Sequence, residues 1–477
     1  MKILYVSPEA LPFASTGGLG DVVGSLPPAV KAALGEGADV RVVLPFYPVV
    51  KEKFSDVVKF EGEMRVTLAW RRLFCGIRSA VKDGVKFYFL ENDYYFMRDK
   101  FYGAFDDGER FAFFSRAVVD LMGAVDFFPD VLHANDWQSA LSVIYLKQKY
   151  AHIPEYSKIR TVYTIHNIEY QGIYGFDILH DVFDLDDKDR NIVDYNGNIN
   201  LTKGAITVSD RVTTVSERYA EEIMTPYYSH GLSAILELCS DKLSGIVNGI
   251  DVGYYDPATD PALKHHFTAQ KLDGKKKCKV ELQRMCGFEE KRETPVIAMI
   301  SRLAAHKGFD LVRCVLGEML EYDDIQVVLL GTGEPEFENY FRELEAKYPA
   351  KFKAFIEFNK DLSKRIYAGA DMFLMPSKSE PCGLSQMIAS RYGAVPIVRE
   401  TGGLYDTIKP YNRYDGTGNG FSFANYNAHE MMAVVRMAEE LFCDRRAWLR
   451  LVRRVMAVDF SWNVSAKKYI ELYKSLT

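Results

Sequence analysis

The chain has 477 residues, which at roughly 150 residues per domain allows about three domains or two large ones. Hydrophobic residues make up 48% and charged residues 26%, so a mainly disordered or fibrous chain is excluded. The 59 Lys and Arg stand against 65 Asp and Glu, a net charge of -6 that supplies no broad basic face, so nucleic acid is not an expected partner.

From the N-terminus, short β-branched runs alternate with longer amphipathic stretches, the pattern of a parallel sheet covered by helices. The expected class is α/β. Strands are predicted over 2–7, 39–44, 85–90, 131–134, 161–165 and 211–215. A second series is predicted over 243–247, 296–300, 326–330, 355–358, 372–375 and 395–398. Between the two, Val247-Asn248-Gly249-Ile250-Asp251 leads into a polar stretch with Pro257, Pro261 and Lys275 to Lys277, which reads as a connection outside both cores. The expected domains are therefore two Rossmann-like units, 1–247 and 248–460, with a C-terminal segment 461–477.

The seven cysteines, Cys75, Cys239, Cys278, Cys286, Cys314, Cys382 and Cys443, form no CxxC pair, so neither a zinc site nor a redox pair is expected and reduced thiols in cytoplasm fit best. Pro8 and Glu9 fall where an export signal needs its apolar stretch, and no apolar run reaches about 18 residues, so neither export nor a membrane partner is expected.

In open α/β sheets ligands bind beyond the carboxyl ends of the strands, and the polar residues are placed there. After the first strand, Ser15-Thr16-Gly17-Gly18-Leu19-Gly20-Asp21 offers glycines and a helix start, which favour an anion or a sugar hydroxyl. A tight strand-to-helix turn accounts for it equally well, since it is neither GxGxxG nor a Walker loop. Two further strands end in His133-Ala134-Asn135-Asp136-Trp137 and Thr164-Ile165-His166-Asn167. Asp136 reads as a helix cap beside a core histidine, His133, and His166 has the better claim to a ligand.

In the second series, Arg302 and Lys307 follow a strand directly, and two cations at that spacing can converge on a diphosphate. Gly331-Thr332-Gly333-Glu334 is another loop where backbone can approach a ligand. Ser377-Lys378-Ser379-Glu380-Pro381-Cys382-Gly383-Leu384 holds a carboxylate suited to sugar hydroxyls before a helix expected to open near Gly383, and Thr401-Gly402-Gly403-Leu404 repeats that device. Cys382 reads as a packed thiol, not a nucleophile.

These motifs, together with Asn248-Gly249-Ile250-Asp251 and Ala368-Gly369-Ala370-Asp371, occur in an order that resembles the bacterial glycogen synthases and plant starch synthases, over nearly the whole chain. The resemblance implies a GT-B fold, two Rossmann-like domains facing across a deep cleft. The acceptor glucan belongs mainly to the first and the donor to the second, with a last helix over about 464–475 crossing back to the first.

It also implies transfer of glucose, with retention, from a nucleotide-glucose (ADP-glucose favoured over UDP-glucose) to the non-reducing 4-hydroxyl of an α-1,4-glucan, with no metal and no cofactor. Arg302 and Lys307 then look like the diphosphate cations, Glu380 and His166 like glucose contacts, and Asp136 and Asp21 like residues near the acceptor. The remaining substrate-binding expectations are Ser15, Thr16, Gly17, Gly18, Asn248, Phe358, Cys382, Gly383, Leu384, Thr401, Gly402 and Gly403. Two positions depart from the family: Ser15 stands where a lysine is usual, and Phe358 where a tyrosine is common near the nucleotide base. Other two-domain glycosyltransferases, a sugar-nucleotide epimerase, a phosphorylase and a non-catalytic glucan-binding protein remain as competing readings.

Overall fold

A computed structural model describes residues 1–477, which divide into two compact units, Met1–Gly249 with Trp462–Thr477, and Ile250–Ser461. Unit 1 is built on β1 (Lys2–Val6), β2 (Asp39–Pro45), β3 (Lys59–Leu68), β4 (Arg71–Lys82), β5 (Val85–Glu91), β6 (Val131–Asn135) and β7 (Arg160–Ile165). A small sheet of β8 (Ile173–Tyr174), β9 (Asp194–Tyr195) and β10 (Asn198–Asn200) follows, and then β11 (Arg211–Thr214) and β12 (Leu243–Gly245).

The main sheet has the order β12-β11-β7-β6-β1-β2-β5-β4-β3. All its pairings are parallel except those of β3 with β4 and β4 with β5. The order reverses beside β1, where chain-adjacent β2 lies on one side and β6 on the other, so the switch point lies between β1 and β6.

The antiparallel β3–β4 hairpin was not predicted. β3 sets exposed charge against partly buried apolar residues in its second half, a period-2 pattern that lacks the continuous apolar run of a buried parallel strand, and in β4 a short run over 73–77 is flanked by arginines and the strand ends in exposed residues. β12, expected to open the second series, instead pairs with β11 at the edge of the first sheet, with Val212 opposite Leu243.

The last helix, Trp462–Lys474, packs against the Gly18–Leu34 helix of the same unit. Its Ser465 hydroxyl donates to the Val247 carbonyl at 2.6 Å, and the Tyr473 hydroxyl meets that of Tyr5 at 2.8 Å and His133 Nδ1 at 2.7 Å. His133 is thus a core histidine, fully buried, with Nε2 on the Thr164 hydroxyl at 2.5 Å.

Unit 2 holds β13 (Val296–Ile300), β14 (Gln326–Leu330), β15 (Phe352–Phe355), β16 (Met372–Met375), β17 (Val395–Arg399) and β18 (Phe421–Phe423). All run parallel, in the order β15-β14-β13-β16-β17-β18. Here the switch point lies between β13 and β16. Its central strands are apolar on both faces and buried, each such side chain contributing about 1.5–3 kcal/mol. β15 lies three residues earlier than the predicted 355–358 and shares only Phe355 with it, because Asn359 caps the next helix through the Leu362 amide and the intervening residues form the approach to it.

Candidate functional site

In unit 1 the carboxyl ends of β1, β6 and β7 bring polar side chains together at the switch point. Glu9, only 3% exposed, accepts from the backbone amide of Thr16, from the Thr16 hydroxyl at 2.6 Å and from the Tyr102 hydroxyl at 2.5 Å. One buried carboxylate therefore holds the start of the glycine loop. Beyond it, Cβ atoms on Gly17 or Gly18 would meet nothing within 4 Å, so the loop faces open space at the start of a 17-residue helix with Asp21 in its first turn. The Ser15 hydroxyl is engaged within the loop, donating to the Gly17 carbonyl at 3.1 Å.

Asp136 is not a side-chain cap. It precedes the Trp137–Gln148 helix in a left-handed conformation, φ 58°, and its carboxylate reaches across to the next strand end to accept the His166 amide at 2.7 Å. The Asn167 amide contributes to the same carboxylate. Although Asp136 keeps partial exposure, desolvation pushes its pKa up to about 7, against the pull of those two amides. Desolvation pushes His166 down to about 3, which keeps the ring neutral. Its Nε2 lies 2.9 Å from Asn135 Oδ1. Asn248, 6% exposed, has an Oδ1 with no hydrogen-bond partner, a buried acceptor that a ligand donor would satisfy.

In unit 2 the loops after β13, β14, β16 and β17 lock together. The Leu303 amide donates to Thr332 O at 2.9 Å, the Glu334 amide to Leu303 O at 2.7 Å, and the Ala305 amide to Glu334 Oε1 at 3.0 Å. A Cβ on Gly331 would lie 1.9 Å from Ser301 O, and one on Gly333 2.2 Å from Leu303 O. These glycines, expected to admit a ligand, admit the neighbouring loop instead and brace the segment carrying Arg302 and Lys307. Arg302 is exposed and its side chain has no partner in the chain.

Lys307 and Glu380, expected to meet phosphate and sugar separately, meet each other. Nζ stands 2.6 Å from Oε2, with side chains 16% and 9% exposed, and the Ser377 hydroxyl donates to the same oxygen at 3.1 Å. The β13 and β16 loops are further joined by the Lys378 amide on His306 O at 2.9 Å.

The helix after Glu380 opens at Ser385 and not at Gly383, with Leu384 as its N-cap, and it runs only to Arg391. Gly383 sits before it at φ 74°. Gly402 and Gly403 also act as spacers: their Cβ atoms would lie 2.0 Å from Glu380 O and 2.1 Å from Cys382 O, and the Gly403 amide is spent on Glu380 O at 3.2 Å. A helix, Gly402–Thr407, does open there with Thr401 as its N-cap, and its first residues also brace the carboxylate loop. Cys382 is buried, as a packed thiol should be, and Phe358 stands 83% exposed in the loop after β15. Glu9, Tyr102 and Glu334 were missed as positioning groups, since nothing in local spacing announces a partner seven to ninety-three residues away, and Ser377, three residues before Glu380, was missed as a donor to its carboxylate.

Residues 2–238 match the family described as starch synthase catalytic domain, and residues 287–448 the glycosyl transferases group 1 family. Glycogen synthase of Bacillus subtilis (strain 168) is 45% identical, covering 100% of this chain and 98% of the relative, and that of Bacillus licheniformis is 46% identical, covering 99% and 98%. The catalytic domain of starch synthase IV from Arabidopsis thaliana, solved bound to ADP and acarbose, superposes with a TM-score of 0.90 at 34% identity, covering 99% of both chains. A sucrose-phosphate synthase from Thermosynechococcus elongatus shares the fold, with a TM-score of 0.61 at 16% identity, covering 100% of this chain and 98% of that one.

Proposed function

This chain belongs to the glycogen and starch synthase family of glycosyltransferases, and from that premise we propose that it transfers glucose from ADP-glucose, with the α configuration retained, to the non-reducing 4-hydroxyl of an α-1,4-glucan. The observation that carries this reading is the cluster at the unit 2 switch point, where an unpaired guanidinium, Arg302, and a Lys307–Glu380 pair stand on loops that brace one another. Such a cluster offers cations to a diphosphate and a carboxylate to sugar hydroxyls. The ADP in the Arabidopsis starch synthase IV structure supports an adenine nucleotide, and its acarbose supports an α-glucan acceptor. Unit 1 is assigned mainly to the acceptor and unit 2 mainly to the donor.

Retention by double displacement needs a carboxylate nucleophile at the anomeric carbon. Glu380 is a poor one, being tied to Lys307 and Ser377. We therefore assign departure and attack to one face of the sugar. The bond from the anomeric carbon to the diphosphate oxygen breaks, the acceptor 4-oxygen bonds to that carbon, and the acceptor proton passes to the departing phosphate. Arg302 and Lys307 stabilise the phosphate charge without a metal ion. His166 orients the glucose, Asp136 and Asp21 serve the acceptor side, and Phe358 offers a stacking face for the base. All seven cysteines are free thiols and no helix is long and apolar enough to cross a membrane, which fits the proposed cytoplasmic setting.

The test is incubation with glycogen and either ADP-glucose or UDP-glucose, following nucleotide release and chain growth. Growth with ADP-glucose ahead of UDP-glucose is expected. Release of nucleotide without elongation would reassign the chain to another glycosyl transfer, and glucan binding without turnover would make it the non-catalytic binder that Ser15 allows.

A further inference from the structure

We propose that Asn135 is a positioning residue that fixes the tautomer of His166, so that His166 presents a bare Nδ1 lone pair and accepts a hydrogen bond from a sugar hydroxyl. The orientation of the Asn135 amide follows from its surroundings. Its Nδ2 lies 3.1 Å from the Val6 carbonyl and 3.3 Å from the His133 carbonyl, both of which can only accept. Turning the amide over would set its oxygen against those two oxygens, in a residue only 2% exposed. Oδ1 must therefore face His166, and at 2.9 Å it demands a proton on Nε2.

A neutral imidazole with its proton on Nε2 has its lone pair on Nδ1, and that atom has no partner in the chain. The ring is neutral because burial pushes its pKa down to about 3. The neighbouring residue completes the mount, since the Asp136 carboxylate holds the His166 backbone amide at 2.7 Å. Two consecutive residues at the end of β6 thus set the position of His166 and the direction of its one free hydrogen bond.

The chemical consequence is selective. A bare lone pair repels a phosphate oxygen and receives a hydroxyl, so His166 reads the sugar of the donor and takes no part in neutralising the diphosphate. This rests on the reading that His166 faces the donor glucose.

The first measurement needs no activity. In the full chain labelled with 15N in its histidine rings, multiple-bond 1H–15N spectra at neutral pH report which ring nitrogen carries the proton, with His166 assigned by its absence in His166→Gln. A single neutral form protonated at Nε2 is expected. Protonation at Nδ1, a doubly protonated ring or a mixture of tautomers would overturn the proposal. The second measurement is Asn135→Ala, folded by circular dichroism, which should mix the tautomers and lower kcat about tenfold while leaving the KM for glycogen unchanged. An unchanged tautomer together with an unchanged kcat would also overturn it. If Asn135→Ala fails to fold, the spectrum of the unmodified chain still decides. Nε2 protonation in a chain that elongates no glucan would uphold this assignment of the ring and defeat the proposed function, so the two failures are distinct.

Discussion

Removing Lys307 should damage the protein in two separable ways. Lys307→Ala strips the ammonium from a carboxylate that is 9% exposed and 2.6 Å away, leaving Glu380 with the Ser377 hydroxyl alone. Breaking a buried pair from one side costs about 3–5 kcal/mol, and the residual exposure of both groups favours the lower end, about 3 kcal/mol. For a unit of roughly 200 residues, at about 2–4 °C per kcal/mol, the unit 2 transition should fall by about 6–12 °C.

The catalytic loss is independent of this. One cation fewer at the developing phosphate charge should lower turnover about 10²- to 10³-fold, or about 2.7–4 kcal/mol. The double variant Lys307→Met with Glu380→Gln removes both charges, so most of the lost stability should return while turnover stays low. Calorimetry and the glycogen elongation assay read the two effects side by side. If Lys307→Ala melts with the unmodified chain, the pair is not stabilising; if the double variant regains turnover, both residues are only structural.

Arg302→Ala should show the kinetic loss alone, about 10²-fold to 10³-fold in turnover with an unchanged melting curve, because its side chain has no partner to abandon. Exhaustive chelation should leave elongation intact, and a loss reversed by added metal would overturn the assignment of charge stabilisation to side chains. Ser15→Lys adds a cation to a loop whose present hydroxyl is spent on Gly17 O, and should tighten donor binding or raise turnover; an inert unmodified chain that gains elongation on this change would show Ser15 to be disabling.

Asp136 binds its proton with a pKa of about 7 in the folded chain against 3.8 as the ordinary value, so the native state holds the extra proton between those pH values. Stability should therefore fall as pH rises from about 4 to about 7, and Asp136→Asn should flatten that slope in urea titrations across the window.

Much of this protein is written locally. The runs at β1, β5, β6, β7, β13, β14, β16 and β17 are short, largely apolar and followed closely by small or polar residues, the look in sequence of strands buried on both faces. The same locality marks Arg302, Glu380, Asp136 and His166 as candidates, because ligands in α/β sheets bind just past strand ends. What escaped was set by partners distant in the chain. β3 and β4 depend on a hairpin half exposed to water, β12 on an edge offered by β11, and the glycines of 331–333 and 402–403 on loops that press against them. The Lys307–Glu380 pair spans 73 positions and the Glu9–Tyr102 bond 93. Residue type shows that a carboxylate can pair and a glycine can admit a neighbour. Which partner arrives is decided only when several strand ends meet, because hydrogen bonds and ion pairs act over a few ångströms and the chain alone does not fix those distances.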